Sequence, residues 1–276
     1  MLRIVLIASL PQEYGPLKRL SSPWRLISRK PFKHFTRTLA DKELILVEAG
    51  MGRARIQEAL PWILAKNTPH LILSFGFAGS LYEAFEVGDV FLGDCFIEKE
   101  VPPDSPGSRT SVRGERLVFQ ASSSLIRFCH DNQVRCARFV TTERPESKLA
   151  LSRYLGGPPS LVEMETIFTA RIALQESIPL LCFRAVSDAL EDEIDFDLDA
   201  ISSPSGNIRL FGVLRTVLRE PPLIRSFYDS WKRSRKAGER LAEVLSALVN
   251  QPAAELREMA LGSHLLVGEG KEMNRS

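Results

Sequence analysis

The sequence predicts an α/β protein with a mostly parallel sheet covered by helices on both faces. Three features carry that expectation. Residues 2–10, "HLILSFGFAGSL" and "IPLLCFRAVSD" are nearly continuous apolar runs, the pattern of strands buried on both sides. Such runs lead through glycine-containing turns into helical spacing, as in "GMGRARIQEALPWILAKN", where Ile56, Ala59, Leu60, Ile63 and Leu64 share one side. No break in composition interrupts residues 1–200, so the alternation belongs to one domain.

Residues 2–10 are the first strand, and "PQEYGPLKRL" after it is a polar loop or short helix carrying Glu13. "WRLISRK" and "ELILVEAG" are further strands, the second closing at Gly50. The helix that begins near residue 53 and the strand "HLILSFGFAGSL" repeat the plan, ending in the small residues Gly76, Ala78 and Gly79. "EVGDVFLGDCFIEKEV" is a long strand after the Gly88-Asp89 turn, and the turn-rich "PPDSPGSRTSVRGE" suits an active-site rim. "ASSSLIRFCHDN" predicts a serine-capped helix, "VRCARFVTT" a strand and "RPESKLALSRYL" another helix. Beyond "GGPPS", residues 166–176 form a helix and 178–188 a buried strand.

After the acidic linker or lid "ALEDEIDFDLDAISSPSGN" the chain changes character. Residues 207–250 hold nine Lys or Arg against four Asp or Glu. Within them Trp231, Ala237, Leu241, Leu245 and Leu248 lie near one helical face, with Lys232, Arg233, Arg235, Lys236 and Arg240 beside it. A helix of this kind ordinarily covers its own sheet, with Leu210, Leu214 and Leu218 turned the same way; docking on an anionic bilayer is the competing use. The expected organisation is a single domain over 1–250, including a basic helical extension from about 207, and a tail at 251–276 that frays from Leu261.

Lys and Arg number 36 against 34 Asp and Glu, so the whole chain has no nucleic-acid signature. Cys95, Cys129, Cys136 and Cys182 show neither C-x-x-C spacing nor the density of a disulfide scaffold, which fits reduced thiols and a cytoplasmic location. The start lacks a cleavage pattern and reads as a strand, and no run approaches the roughly 20 apolar residues of a spanning helix. His34, His70, His130 and His264 are too scattered for a metal centre, and no cofactor fingerprint, Walker loop or nucleophile elbow is present.

Carboxylates are therefore the chemical candidates. Asp188 follows the strand at 178–188, Glu13 follows the first strand, and Glu163 and Glu165 stand at the entrance to the helix before Asp188's strand. Strand carboxyl ends are where open α/β sheets bind ligands. Three acids there suit a reaction in which one protonates a leaving group, one activates a nucleophile and one grips hydroxyls. The ordinary alternatives are a helix N-terminal acid for Glu165 and a helix cap for Asp188. Gly50, Gly52 and "GFAG" can admit a ligand against the backbone or serve as tight turns.

"VEMET" followed by "RAVSD" resembles the signature of the nucleoside phosphorylase and nucleosidase superfamily, especially the methylthioadenosine/S-adenosylhomocysteine nucleosidases. The resemblance extends to "IVLIASLPQEYGPL", "GMGRARI" and "SFGFAGSL", covering roughly residues 2–190 in order. It implies a three-layer α/β/α fold, a homo-oligomer, and cleavage of the bond between a purine and a ribose. On that resemblance Asp188 shares or donates a proton at the base N7, with Ser187 orienting it. Glu165 holds ribose hydroxyls, Met164 packs beneath the sugar, and Glu13 activates water. Glu163, Ala78, Gly79 and Val140, which opens "VTTE", complete the implied substrate contacts.

The family's phosphorylases place arginines where this chain reads "SLPQEYG" and "HLILSFG", and neither stretch holds one. Water is thus the expected nucleophile. Arg53 is the candidate for a phosphate contact and keeps phosphorolysis as an alternative, alongside a non-catalytic nucleoside-binding or scaffold role. Phe77 departs from the small or hydroxyl residue usual at its place. The C-terminal portion resembles, more weakly, the hopanoid-associated branch, whose members act on an adenosyl-lipid.

Overall fold

The structure is a computed structural model that describes residues 1–20, 23–99, 116–192 and 222–268, with side chains in the last stretch from 229 onward. The expected rim loop, most of the acidic linker, and Leu210, Leu214 and Leu218 lie outside the described residues.

The first half of the chain runs β1 (Leu2–Ala8), α1 (Pro11–Leu20), β2 (Arg25–Ser28), β3 (Lys33–Thr38), β4 (Lys42–Glu48), α2 (Arg53–Leu64), β5 (Leu71–Ser80) and β6 (Val90–Glu98). It continues through β7 (Arg116–Gln120), α3 (Ser123–Asp131), β8 (Arg135–Thr141), α4 (Lys148–Leu155), β9 (Ser160–Glu163), α5 (Thr166–Gln175) and β10 (Leu180–Asp188). The last described elements are α6 (Pro222–Val249), α7 (Ala253–Leu261) and β11 (His264–Gly268).

The strands follow the order β11-β7-β6-β8-β9-β5-β1-β4-β3-β2, with β10 paired to both β5 and β6. Since β5 and β6 are also linked through β9 and β8, that half of the sheet closes on itself. The run β4-β1-β5-β10 is parallel and its strands are the continuously apolar ones, because helices cover them on both sides. An antiparallel meander, β2-β3-β4, extends one margin and the antiparallel pair β7-β11 the other. Helix α1 packs on α6 and α2 on α5, giving helix, sheet and helix layers.

The short strands β3, β7, β9 and β11 are the ones the sequence does not announce. β3 mixes Lys33, Thr36 and Arg37 with its apolar residues, and β9 is four residues long after "GGPPS". Each becomes a strand because a neighbour pairs with it. The segment expected to fray from Leu261 instead carries β11, aligned antiparallel to β7 from His264↔Gln120 to Gly268↔Arg116. Ser263 ties it to α3's cap by accepting the Ser122 N–H at 2.9 Å.

The apolar face of α6 is spent on the protein's own core. Ala237, Leu241, Val244, Leu245 and Leu248 are fully buried there. Trp231 does not join them and is 55% exposed. Six residues at 3.6 per turn carry the helix roughly 240° from Trp231 to Ala237, so the two point apart. Among the basic residues Arg233 pairs with Asp192, Arg235 with Glu239 and Arg240 with Glu243. Gly238 permits the closest approach: a Cβ there would sit 3.0 Å from the Gln12 carbonyl and 3.4 Å from the Phe77 ring. Thus α6 braces α1 and β5 where Glu13 sits. Among the described residues no helix is long and apolar enough to cross a membrane.

Candidate active site

The ends of β1, β5, β9 and β10 bring three glutamates and an arginine together. Glu13 lies in the first turn of α1 and is buried. Its Oε2 accepts the N–H groups of Ser9 (2.7 Å) and Leu10 (2.8 Å), and its Oε1 accepts that of Phe77 (2.9 Å). Burial pushes its acidity weaker than usual, while those N–H groups and Arg184 oppose the shift. The carboxylate lies so close to β5 that only glycine fits at position 76, since a Cβ there would lie 2.5 Å from Glu13 Oε1.

Glu165 precedes α5 as its N-cap residue but its side chain makes no capping bond. Its Oε1 instead accepts the Gly52 N–H at 2.8 Å. Gly52 has φ of 86°, a conformation that suits glycine and turns its N–H to the carboxyl. Burial raises the Glu165 pKa to about 8, with Glu163 and Glu13 adding to the effect and Arg184 opposing it. The group is therefore largely protonated at neutral pH.

Capping of α5 falls to Glu163. Its Oε2 accepts from the N–H groups of Glu165 (3.0 Å) and Thr166 (2.8 Å), the Thr166 hydroxyl (2.7 Å) and Arg184 (3.0 Å). The Thr141 hydroxyl donates to its other oxygen. Five donors of the protein thus surround this carboxylate. Burial works against the Arg184 charge, but Glu163 and Glu165 outweigh it and hold the guanidinium above its ordinary value. Three acids around one buried cation make a site with spare proton affinity.

Asp188 ends β10, where a register shift after Val186 turns the last residues of the strand. No cap is involved. The Ser187 hydroxyl lies 2.6 Å from Asp188 Oδ1 and Lys148 Nζ lies 2.6 Å from Oδ2. Ser187 also reaches the Ala78 carbonyl at 3.5 Å. A Cβ on Gly79 would lie 2.7 Å from Asp188 Oδ2. Gly76 and Gly79 thus set Glu13 and Asp188 against one strand, three residues or about 10 Å apart along β5. Met164, half-buried, lies between Glu163 and Glu165 in sequence.

Two expected contacts are placed elsewhere. Val140 is fully buried among Leu81, Ile97, Leu151 and Leu155, and strand alternation sends its neighbour Thr141 to the acid cluster instead. Arg53 turns outward, 3.3 Å from Glu143 and 3.9 Å from Glu98, with its guanidinium over Phe168. Two carboxylates occupy the charge that a phosphate contact would need. Conversely, sequence reasoning passed over Lys148, Arg184 and Thr141. An arginine inside the apolar run "LLCFRAV" was the available signal for Arg184, since a buried guanidinium requires acids around it. Among the described residues no group of His, Cys, Asp and Glu could hold a metal ion. A cleft of about 500 Å³ lies apart from these acids and is lined by Glu86, Asp89, His130, Arg135 and Arg240 among others.

Known proteins resemble this chain in sequence and in fold. The 5'-methylthioadenosine/S-adenosylhomocysteine nucleosidase of Staphylococcus aureus (strain MRSA252) is 25% identical over 214 residues, covering 71% of this chain and 91% of that protein. The crystal structure of the Helicobacter pylori enzyme of that name, with butyl-thio-DADMe-Immucillin-A, superposes with a TM-score of 0.65 at 15% identity, covering 91% of this chain and 99% of the other. Futalosine hydrolase of Helicobacter pylori strain 26695 gives 0.65 at 14% identity, with 91% and 98% covered. At those identities the structural likeness speaks for the fold alone. The model of the phosphorylase superfamily matches residues 3–219, and the chain belongs to that superfamily.

Proposed function

We propose that the protein hydrolyses the N-glycosidic bond of a purine nucleoside or adenosyl thioether. The observation that carries this reading is the placement of Glu13 and Asp188 against Gly76 and Gly79 of one strand, beside the buried Glu165. Glu13, held by three backbone N–H groups, takes a proton from water as the oxygen attacks the sugar carbon. Asp188 shares a proton with the departing base, which accepts the electron pair of the broken bond. Glu165, fixed by Gly52, grips ribose hydroxyls, with Met164 beside the sugar. Negative groups around the ring favour the positive charge that develops on it.

Water is favoured over phosphate by the electrostatics. Among the described residues the cation beside Glu13, Glu163 and Glu165 is Arg184, which already serves Glu163. A phosphate would therefore have to displace Glu163 from its partner. The relatives named as nucleosidases support hydrolysis of an adenosyl thioether as the finer reading. The test is product identification in phosphate buffer with adenosine, methylthioadenosine and S-adenosylhomocysteine. Free base with a reducing sugar is expected. A sugar 1-phosphate product would replace hydrolysis by phosphorolysis, and no base release from any of them would end the enzymatic reading.

A further inference from the structure

Lys148 is the first residue of α4, and it has been carried out of water to meet Asp188. Its side chain is 5% exposed. A buried ammonium needs a partner, and Nζ has two: Asp188 Oδ2 at 2.6 Å and the carbonyl of Ala189. Gly79 makes room for the pair, because a Cβ there would lie 2.7 Å from Asp188 Oδ2 and 3.0 Å from Lys148 Cδ. With Ser187 against Oδ1, each oxygen of the carboxylate faces its own donor. The ammonium thus clips the end of β10 to the start of α4 at two successive residues.

We propose that Lys148 is a positioning residue that holds Asp188 in one rotamer, facing the base of the substrate. The inference rests on the functional reading above. A carboxylate gripped by a cation and a hydroxyl has its direction fixed before substrate arrives. Asp192 nearby accepts the Ala189 N–H at 2.9 Å and pairs with Arg233 at 3.4 Å. Among the described residues Lys148 is the cation in direct contact with Asp188.

The test uses full-length K148M, K148R, D188N and the double variant K148M/D188N, with kcat and KM measured for base release. K148M should lower kcat roughly 10²-fold with little change in KM, the scale of a misplaced catalytic group. K148R keeps the cation and should recover at least about tenfold of the loss. In the D188N background the lysine change should add almost nothing, since both act through one carboxylate. Wild-type activity in K148M, or losses that multiply in the double variant, would overturn the role of Lys148 while leaving Asp188's intact. If K148M does not fold, K148Q takes its place in the same comparison. A wild-type protein that releases no base would instead defeat the underlying functional reading.

Discussion

Gly76 and Glu13 are matched by the absence of a side chain: a single Cβ on the glycine would lie 2.5 Å from the glutamate's Oε1. That distance is shorter than any stable contact between the two atoms, so a larger residue requires the carboxylate to shift from its place. The pairing gives the first prediction. Gly76→Ala should reduce base release roughly 10²-fold, comparable to loss of a general base. Circular dichroism should show the fold retained, and full activity would separate Glu13 from the chemistry.

Asp188→Asn preserves shape but removes the charge opposite Lys148. Turnover should fall about 10²-fold or more, with the protein still folded. Steady-state assays on several adenosine derivatives check this, and undiminished turnover would dismiss Asp188 as the group serving the base.

Glu165 makes stability depend on pH. Its proton is held more tightly in the folded chain, at about 8 against an ordinary 4.5, so its contribution is fully present below about 4.5 and is lost as pH rises through about 8. Glu13, also shifted upward, acts in the same sense. Thermal melts from pH about 5 to about 9 should show the wild type losing stability towards the alkaline end. Glu165→Gln, which keeps an acceptor for Gly52, should flatten that decline. An unchanged slope in the variant would assign the dependence to other groups.

Glu163 is the keystone of the buried cluster, meeting Arg184 at 3.0 Å with both side chains at 3% exposure or less. Glu163→Gln leaves the guanidinium without its charge partner and points an amide at donors. Urea denaturation should record a loss of roughly 3 to 5 kcal/mol, the usual cost of stranding one member of a buried pair. A loss below about 1 kcal/mol would mean that Arg184 finds compensation from Glu165.

Much of the fold was legible in the sequence because burial writes a pattern. β1, β5 and β10 are covered on both faces and so read as unbroken apolar runs, and α2 follows its glycine turn at helical spacing. The positions of Glu13, Glu165 and Asp188 at element ends were visible for the same reason. The marginal strands β3 and β11 were not, because such a strand is made by its partner rather than by its own residues.

What only the tertiary structure decided is which acid does what. In sequence, Glu163 and Glu165 are equivalent carboxylates two residues apart. In the fold, one is saturated by Thr141, Thr166 and Arg184, whereas the other turns to Gly52 and keeps a proton at neutral pH. Lys148, forty residues from Asp188, carries no local signal of its part. Its role arises because α4 begins where β10 ends, and proximity between distant segments is set by packing of the whole sheet, which no local pattern encodes.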